Sequence, residues 1–167
     1  TLPELEPTAL GPEAMAARVE QAAAWILERG KLPAILGGEH SISVGAVKAC
    51  KGKYADLSVL QLDAHADMRD TYNGSRFSHA CVMRRILETC PAVQAGIRSI
   101  SREEMDFARE SGQINKIHWA EKSEIIEKII SQLSEHVYIT LDVDVFDPSE
   151  MPATGTPEPG GLDWYAV

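Results

Sequence analysis

Apolar residues recur at every third or fourth position in parts of the chain and form short unbroken runs in others. The first pattern places apolar side chains on one side of a helix, whereas a short apolar run is typical of a buried strand. Helices are predicted over residues 12–29, 42–50, 78–90 and 125–133. Strands are predicted over residues 33–36, 57–62, 93–99, 114–119 and 137–141.

Residues suited to helix ends support these boundaries. Pro12 fits a first helical turn and Gly30 stops that helix, while Ser41 is predicted to cap the next one. Ser101 followed by Glu104 has the spacing of a capping box, which predicts a further helix. Because strands alternate with helices, we expect a largely parallel sheet covered on both faces. Since no repeat or linker interrupts the pattern, residues 1–167 are predicted to form a single α/β domain.

Composition narrows the possible functions. The 25 acidic residues outnumber the 16 basic ones and give a net charge of −9, which disfavours binding to a nucleic-acid backbone. No apolar run reaches the roughly 20 residues of a membrane span, and residues 1–20 lack a signal-peptide pattern. The three cysteines form no C-x-x-C pair, so we expect neither a disulfide framework nor a zinc knuckle, and a cytoplasmic location.

Unusual polar residues follow three of the predicted strands. These segments are Gly37–Ser41, Asp63–Asp67 and Asp142–Asp144. Ligands of an open parallel sheet bind beyond the carboxyl ends of its strands, and extended backbone places residues two apart on the same side. We therefore expect two imidazoles and four carboxylates to converge on one pocket.

Four neighbouring carboxylates would repel one another, and divalent cations remove that conflict. Oxygen-rich ligands with two imidazoles suit Mn²⁺ better than a metal that prefers sulfur, and two such ions can activate a water for hydrolysis. Each motif taken alone also fits a turn, a helix cap or a structural histidine. The three motifs together favour a metal site.

The remaining histidines differ in position. His79 lies where a helix is predicted to start, and the positive end of the helix dipole favours a neutral imidazole that can exchange protons. The same position also suits a His that only caps the helix. His118 and His136 lie outside the three motifs and are interpreted as structural or surface residues.

These segments resemble the ureohydrolases, the arginase and agmatinase family, from about Ala34 to Trp164. The resemblance implies a three-layer arginase-like fold, with a metal site at the carboxyl ends of its strands. The matching stretches are Gly37–Ile42, Asp63–Asp67, Ser78–Arg85, Asp142–Pro148 and Pro152–Gly161.

The resemblance also implies roles for individual residues. Asp63 and Asp142 would bridge two manganese ions, with His40 and Asp67 completing one site. His65 and Asp144 would complete the other site. Asp67 would also assist proton transfer. His79 matches the family's proton-shuttling histidine, and Thr156 matches a threonine that lines the substrate pocket.

The reaction implied by the resemblance is hydrolysis of a guanidinium group to urea and an amine, in a homo-oligomer that is a trimer or hexamer. Arginases hold the α-amino acid part of arginine with residues after the metal motif and with an Asp near the position of Ser101. The loop Met68–Phe77 and Ser101 therefore favour agmatine, which would give putrescine. Guanidinobutyrate, another guanidino acid, formiminoglutamate and arginine stay as alternatives, as does a metal-binding chain without catalysis.

Family members are longer than this chain. Relative to them, it begins after the opening strand and ends before the strand that carries the guanidinium-gripping glutamate, a role that Glu158 does not match. We therefore expect an internal part of a ureohydrolase, truncated at both ends, whose substrate pocket is incomplete and which is inactive alone.

Overall fold

A four-stranded parallel sheet forms the centre of the computed structural model, which describes residues 2–120 and 126–167. The order across the sheet is β3-β2-β1-β4, and every pairing is parallel, which confirms the predicted sheet type. The strands are β1 (Ser58–Leu62), β2 (Ala92–Ile97), β3 (Ile117–Trp119) and β4 (Val137–Leu141).

The strand register brings the carboxyl ends of three strands to one edge of the sheet. Leu62, the last residue of β1, pairs with Ala95 of β2 on one side and with Leu141 of β4 on the other. Every residue of β2 is buried, so both faces of the sheet are covered there. The side chains that follow β1 and β4 are consequently delivered to the same region.

Helices connect and cover the strands. The first two pack closely, because Gly45 has no Cβ; a Cβ there would lie 1.9 Å from the carbonyl oxygen of Ala16. Val44 and Val47 on the same helix reach the main apolar core. The helices are α1 (Pro12–Glu28), α2 (Ile42–Lys53), α3 (Val82–Leu87), α4 (Arg102–Ser111) and α5 (Ile126–Ser131).

The predicted capping box is confirmed. The Ser101 hydroxyl accepts from the Glu104 N–H at 3.4 Å, and the Ser101 N–H donates to the Glu104 carboxylate at 2.8 Å. Ser41 does occupy the N-cap position of α2, as predicted, but its hydroxyl donates to Glu39, so the predicted side-chain cap is wrong.

The strand predicted at residues 33–36 is wrong. The segment is irregular, and Leu36 is fully exposed while Ile35 is partly exposed. A short apolar run becomes a strand only when a neighbouring strand accepts its hydrogen bonds, and no described strand pairs with this segment. The Gly37–Ser41 motif therefore follows irregular chain, not a strand.

Further elements are shorter than predicted, among them β2, which ends at Ile97 and not at Ser99. Residues 78–90 contain a 3-10 turn, His79–Cys81, before α3, because Cys81 leaves the helical backbone region. Gln113–Lys116 also form a 3-10 turn, so β3 begins only at Ile117. The helix predicted over 125–133 is α5, and Ile125 lies outside the described residues. Within the described ranges, no helix combines the length and apolarity that crossing a bilayer requires.

Candidate metal centre

The loop after β1 carries three of the candidate ligands and leaves extended backbone at the last of them. His65 forms an isolated bridge with Ser99, and the N–H of Ala66 donates to the Ser99 carbonyl at 3.1 Å. Asp67 adopts a left-handed backbone with φ of 51°, an uncommon conformation for a residue with a side chain. The backbone therefore turns at Asp67, and the two-residue alternation expected from the sequence does not continue to that residue.

Two groups of potential ligands share one carboxylate. His40, Asp63 and Asp67 form one group, and Asp63, His65 and Asp144 form the other, with the ligand atoms of each group within 4.8 Å of one another. The Nδ1 atom of His40 lies 3.0 Å from Oδ2 of Asp63 and 3.0 Å from Oδ2 of Asp67. The Nδ1 atom of His65 lies 2.9 Å from Asp144 and 3.6 Å from Oδ1 of Asp63.

Asp142, the sixth predicted ligand, lies beside these groups without belonging to either. Its Oδ2 atom is 4.0 Å from Nδ1 of His40, and its side chain is 30% exposed. Its other oxygen accepts from the Asp144 N–H at 3.1 Å and caps the 3-10 turn Val143–Val145. The structure thus brings five of the six predicted residues into two groups and places the sixth at their edge.

Burial and pairing shift the pKa values of these side chains. Burial alone would lower the pKa of His40, but hydrogen bonds with Asp63 and Asp67 outweigh it and raise the pKa to about 10. Pairing with Asp144 and Asp63 likewise raises the pKa of His65 to about 10. Both imidazoles therefore carry a positive charge at neutral pH.

The pKa values of the neighbouring carboxylates shift in different directions. Burial would raise the pKa of Asp63, but its pairing with both imidazoles holds that pKa well below its usual range. Burial raises the pKa of Asp67 to about 6, and burial together with neighbouring carboxylates raises that of Asp142. The four acidic groups outnumber the two imidazoles that pair with them, so the donor set fits divalent cations.

Thr156 and His79, the two remaining predicted site residues, lie at the edge of the two groups of ligands. The hydroxyl of Thr156 donates to Oδ2 of Asp144 at 3.1 Å. His79 begins its 3-10 turn with half of its side chain exposed, 3.9 Å from the carboxylate of Glu39 and edge-on to Tyr72. The structure therefore places Thr156 against a candidate ligand and His79 near the solvent.

Supporting residues that the sequence analysis missed surround the groups. Nε2 of His40 lies 2.9 Å from the Thr140 hydroxyl, which leaves Nδ1 facing the carboxylates. Oε1 of Glu104 accepts from the N–H of Met68, next to Asp67, at 2.8 Å. Thr140 is the buried residue of β4, and a threonine within a short apolar run was the signal available in the sequence.

Arg98 joins two loops beside the site. Its guanidinium donates to the Asp144 carbonyl at 2.6 Å and to the Phe146 carbonyl at 3.2 Å. It also donates to the Glu158 carbonyl at 2.8 Å. Hydrogen bonds from a charged guanidinium are stronger than neutral ones, so Arg98 ties the segment around Asp144 to the loop that carries Glu158.

A family model described as the arginase family matches residues 3–167. The chain belongs to the arginase family. This membership confirms the arginase-like α/β fold with a parallel sheet, and arginase-family proteins are metal-dependent, in keeping with the two groups of ligands.

Individual arginase-family relatives cover almost the whole chain. The N(1)-aminopropylagmatine ureohydrolase of Synechocystis sp. is 44% identical over 164 residues, which are 94% of this chain and 53% of the relative. The agmatinase of Pyrococcus horikoshii is 48% identical over 138 residues, 81% of this chain and 47% of the relative. The chain thus spans about half the length of these curated relatives.

A solved structure of the family superimposes closely. The agmatine ureohydrolase of Thermoplasma volcanium matches with a TM-score of 0.84 and 38% identity, covering 98% of this chain and 56% of that one. The sheet and the loops that carry the candidate ligands therefore belong to a shared architecture.

Proposed function

We propose that the chain carries the binuclear manganese site of a ureohydrolase that cleaves a guanidinium group to urea and an amine. The observation that carries the proposal is the sharing of Asp63 between two groups of ligands. One oxygen of Asp63 faces His40 and the other faces His65. A carboxylate with one oxygen directed at each group suits a bridge between two ions, which would supply an activated water.

The proposed ligands are the six residues that match the family motif. Imidazole nitrogens and carboxylate oxygens suit Mn²⁺, and neither group of ligands among the described residues includes a cysteine. They are His40, Asp63, His65, Asp67, Asp142 and Asp144.

Asp67 and His79 are proposed to move the protons. Water adds to the guanidinium carbon, the bond from that carbon to the alkyl nitrogen breaks, and the leaving amine takes up a proton. Asp67, whose carboxylate lies in the first group of ligands, is proposed to accept a proton from the attacking water. The half-exposed side chain of His79 can exchange protons with solvent and pass one to the amine. Thr156, against Asp144, is proposed to line the substrate pocket.

The proposed substrate is agmatine or an N-substituted agmatine, not arginine. In the loop after the metal motif, Asn73 and Gly74 form a tight turn closed by paired hydrogen bonds between Tyr72 and Ser75. The Ser75 hydroxyl accepts from the Phe77 N–H at 3.0 Å, so part of its hydrogen-bonding capacity is used within the loop. Relatives named for agmatine and for N(1)-aminopropylagmatine have similar identities to this chain, which supports both substrates.

Urea release by the full-length protein tests the proposal. With manganese, agmatine or N(1)-aminopropylagmatine should exceed arginine and guanidinobutyrate in kcat/KM by at least roughly 100-fold, since an unpaired buried carboxylate is costly. Asp63→Ala should abolish urea release, whereas Asp106→Ala, an exposed carboxylate on α4, should retain it. Manganese binding without urea release from any guanidine would contradict the proposal and support a non-catalytic metal-binding role. Comparable turnover of arginine would contradict the substrate assignment.

A further inference from the structure

Three glutamines form a continuous buried chain of hydrogen bonds that ends at Asp63. Gln61 and Gln94 are paired residues of neighbouring strands, and Gln113 lies in the 3-10 turn after α4. Their exposures are 0%, 0% and 6%. Buried amides are costly unless they are hydrogen-bonded, so three of them in one line need a reason beyond packing.

The acceptors determine the direction of these hydrogen bonds. Nε2 of Gln61 donates to Oδ2 of Asp63 at 2.8 Å and to the His65 carbonyl at 3.2 Å. An ionised carboxylate and a backbone carbonyl can only accept, so the amide of Gln61 has one possible orientation. Its Oε1 atom consequently faces Gln94.

The same argument fixes the other two amides. Nε2 of Gln94 donates to Oε1 of Gln61 at 2.6 Å and to the Ala66 carbonyl at 2.9 Å. Nε2 of Gln113 donates to Oε1 of Gln94 at 3.1 Å and to the Ala92 carbonyl at 3.1 Å. Each amide nitrogen donates one hydrogen bond to a backbone carbonyl and a second one along the row of glutamines towards Asp63.

The consequence falls on the carboxylate of Asp63. Its Oδ1 atom accepts from the His65 N–H at 2.7 Å, and its Oδ2 atom accepts from Gln61. Each oxygen of Asp63 is thus held by one of these donors. A second lone pair on that oxygen stays available to the group of ligands that the oxygen faces. Gln61 and Gln94 also hold the loop after β1, because they donate to the carbonyls of His65 and Ala66.

We infer that Gln61 and Gln94 are positioning residues that orient Asp63 for metal binding through this chain, with Gln113 as its far support. The inference rests on the proposed metal site. Partners that orient a ligand typically contribute 10- to 100-fold to metal affinity. The effect should therefore be largest at Gln61, which touches Asp63, smaller at Gln94 and smallest at Gln113.

The test replaces each glutamine by methionine, which has a similar shape and no amide, in the full-length protein. Manganese affinity is measured by titration calorimetry, and stability of the metal-free protein by urea unfolding. Gln61→Met should weaken manganese binding by roughly 10- to 100-fold, Gln94→Met by less, and Gln113→Met by under about threefold. All three should lower metal-free stability, whereas Gln21→Met, exposed on α1, should change neither quantity.

The comparison among the buried variants decides the inference. A graded loss of affinity that does not follow the loss of stability supports a positioning role. Equal losses of affinity in all three, or wild-type affinity in Gln61→Met, overturn it while leaving the metal site in place. Should Gln61→Met fail to fold, Gln94→Met against Gln113→Met gives the same comparison. Absence of manganese binding by the wild-type protein overturns the proposed function and this inference together.

Discussion

Binding of divalent ions to the metal-free protein at pH 7 should release about two protons. His40 and His65 have pKa values of about 10 in the metal-free site, three units above that pH. The Nδ1 atom of each faces the carboxylates, and an imidazole nitrogen binds a metal only after losing its proton. Asp67 adds little, because its pKa of about 6 leaves it mostly ionised.

The pH dependence of metal binding follows from these pKa values. Removing a proton three units below its pKa costs roughly 4 kcal/mol for each histidine. The constant for binding both ions should therefore rise roughly 100-fold between pH 7 and pH 8, or tenfold for each proton released. Stability of the metal-free protein should change in the opposite sense. The histidine contribution is complete below pH 6.5 and is lost as the pH rises towards 10.

Titration calorimetry of Mn²⁺ binding in PIPES, HEPES and Tris measures the release directly, because the apparent enthalpy depends on the buffer's own protonation enthalpy. The slope of that dependence should correspond to about two protons. His65→Asn should remove about one, whereas His136→Asn should change nothing, since His136 is exposed and pairs with Asp56. A slope near zero would show that both imidazoles are neutral before the ions bind, and would refute the ion pairs described above.

Two further predictions concern stability and use urea unfolding. Gly45→Ala should lower the free energy of unfolding by roughly 3 kcal/mol, because its Cβ would collide with the Ala16 carbonyl. The control Gly52→Ala, on the same helix, should raise that free energy by up to about 1 kcal/mol. Equal effects of the two substitutions would contradict the close packing of α1 and α2. Arg98→Met should lower the free energy of unfolding by roughly 3 kcal/mol, because it leaves several backbone carbonyls unpaired. The control Arg102→Met, at a side chain that is 95% exposed, should leave stability nearly unchanged. An equally small effect of Arg98→Met would show that its hydrogen bonds contribute little.

The sheet and the location of the site were predictable because they depend on patterns that a sequence displays. Alternating helices and strands imply a parallel sheet, and the carboxyl ends of parallel strands meet at one edge. The motifs beginning at Asp63 and Asp142 follow β1 and β4, which are neighbours in the sheet. Their proximity therefore required only the correct strands and the correct sheet type.

The details of the site depend on contacts that no local pattern encodes. The left-handed backbone of Asp67 accompanies two N–H groups of α3 that donate to its carbonyl, and those groups belong to Met83 and Arg84. The strand expected at residues 33–36 failed for a related reason, since an apolar run does not reveal whether a partner strand exists. Gln61 was visible as a polar residue in an apolar strand, but its partner Gln94 is known only from the register.

The separation of the candidate ligands along the chain has a consequence for folding kinetics. His40 contacts Asp67 across 27 positions and Thr140 across 100, and Asp144 contacts Ala64 across 80. Closing such long loops is slow, so both groups of ligands are complete only after most of the sheet has assembled. Interactions that form after the transition state act mainly on the unfolding rate. Bound manganese should therefore prolong the lifetime of the folded chain while leaving the rate of refolding almost unchanged.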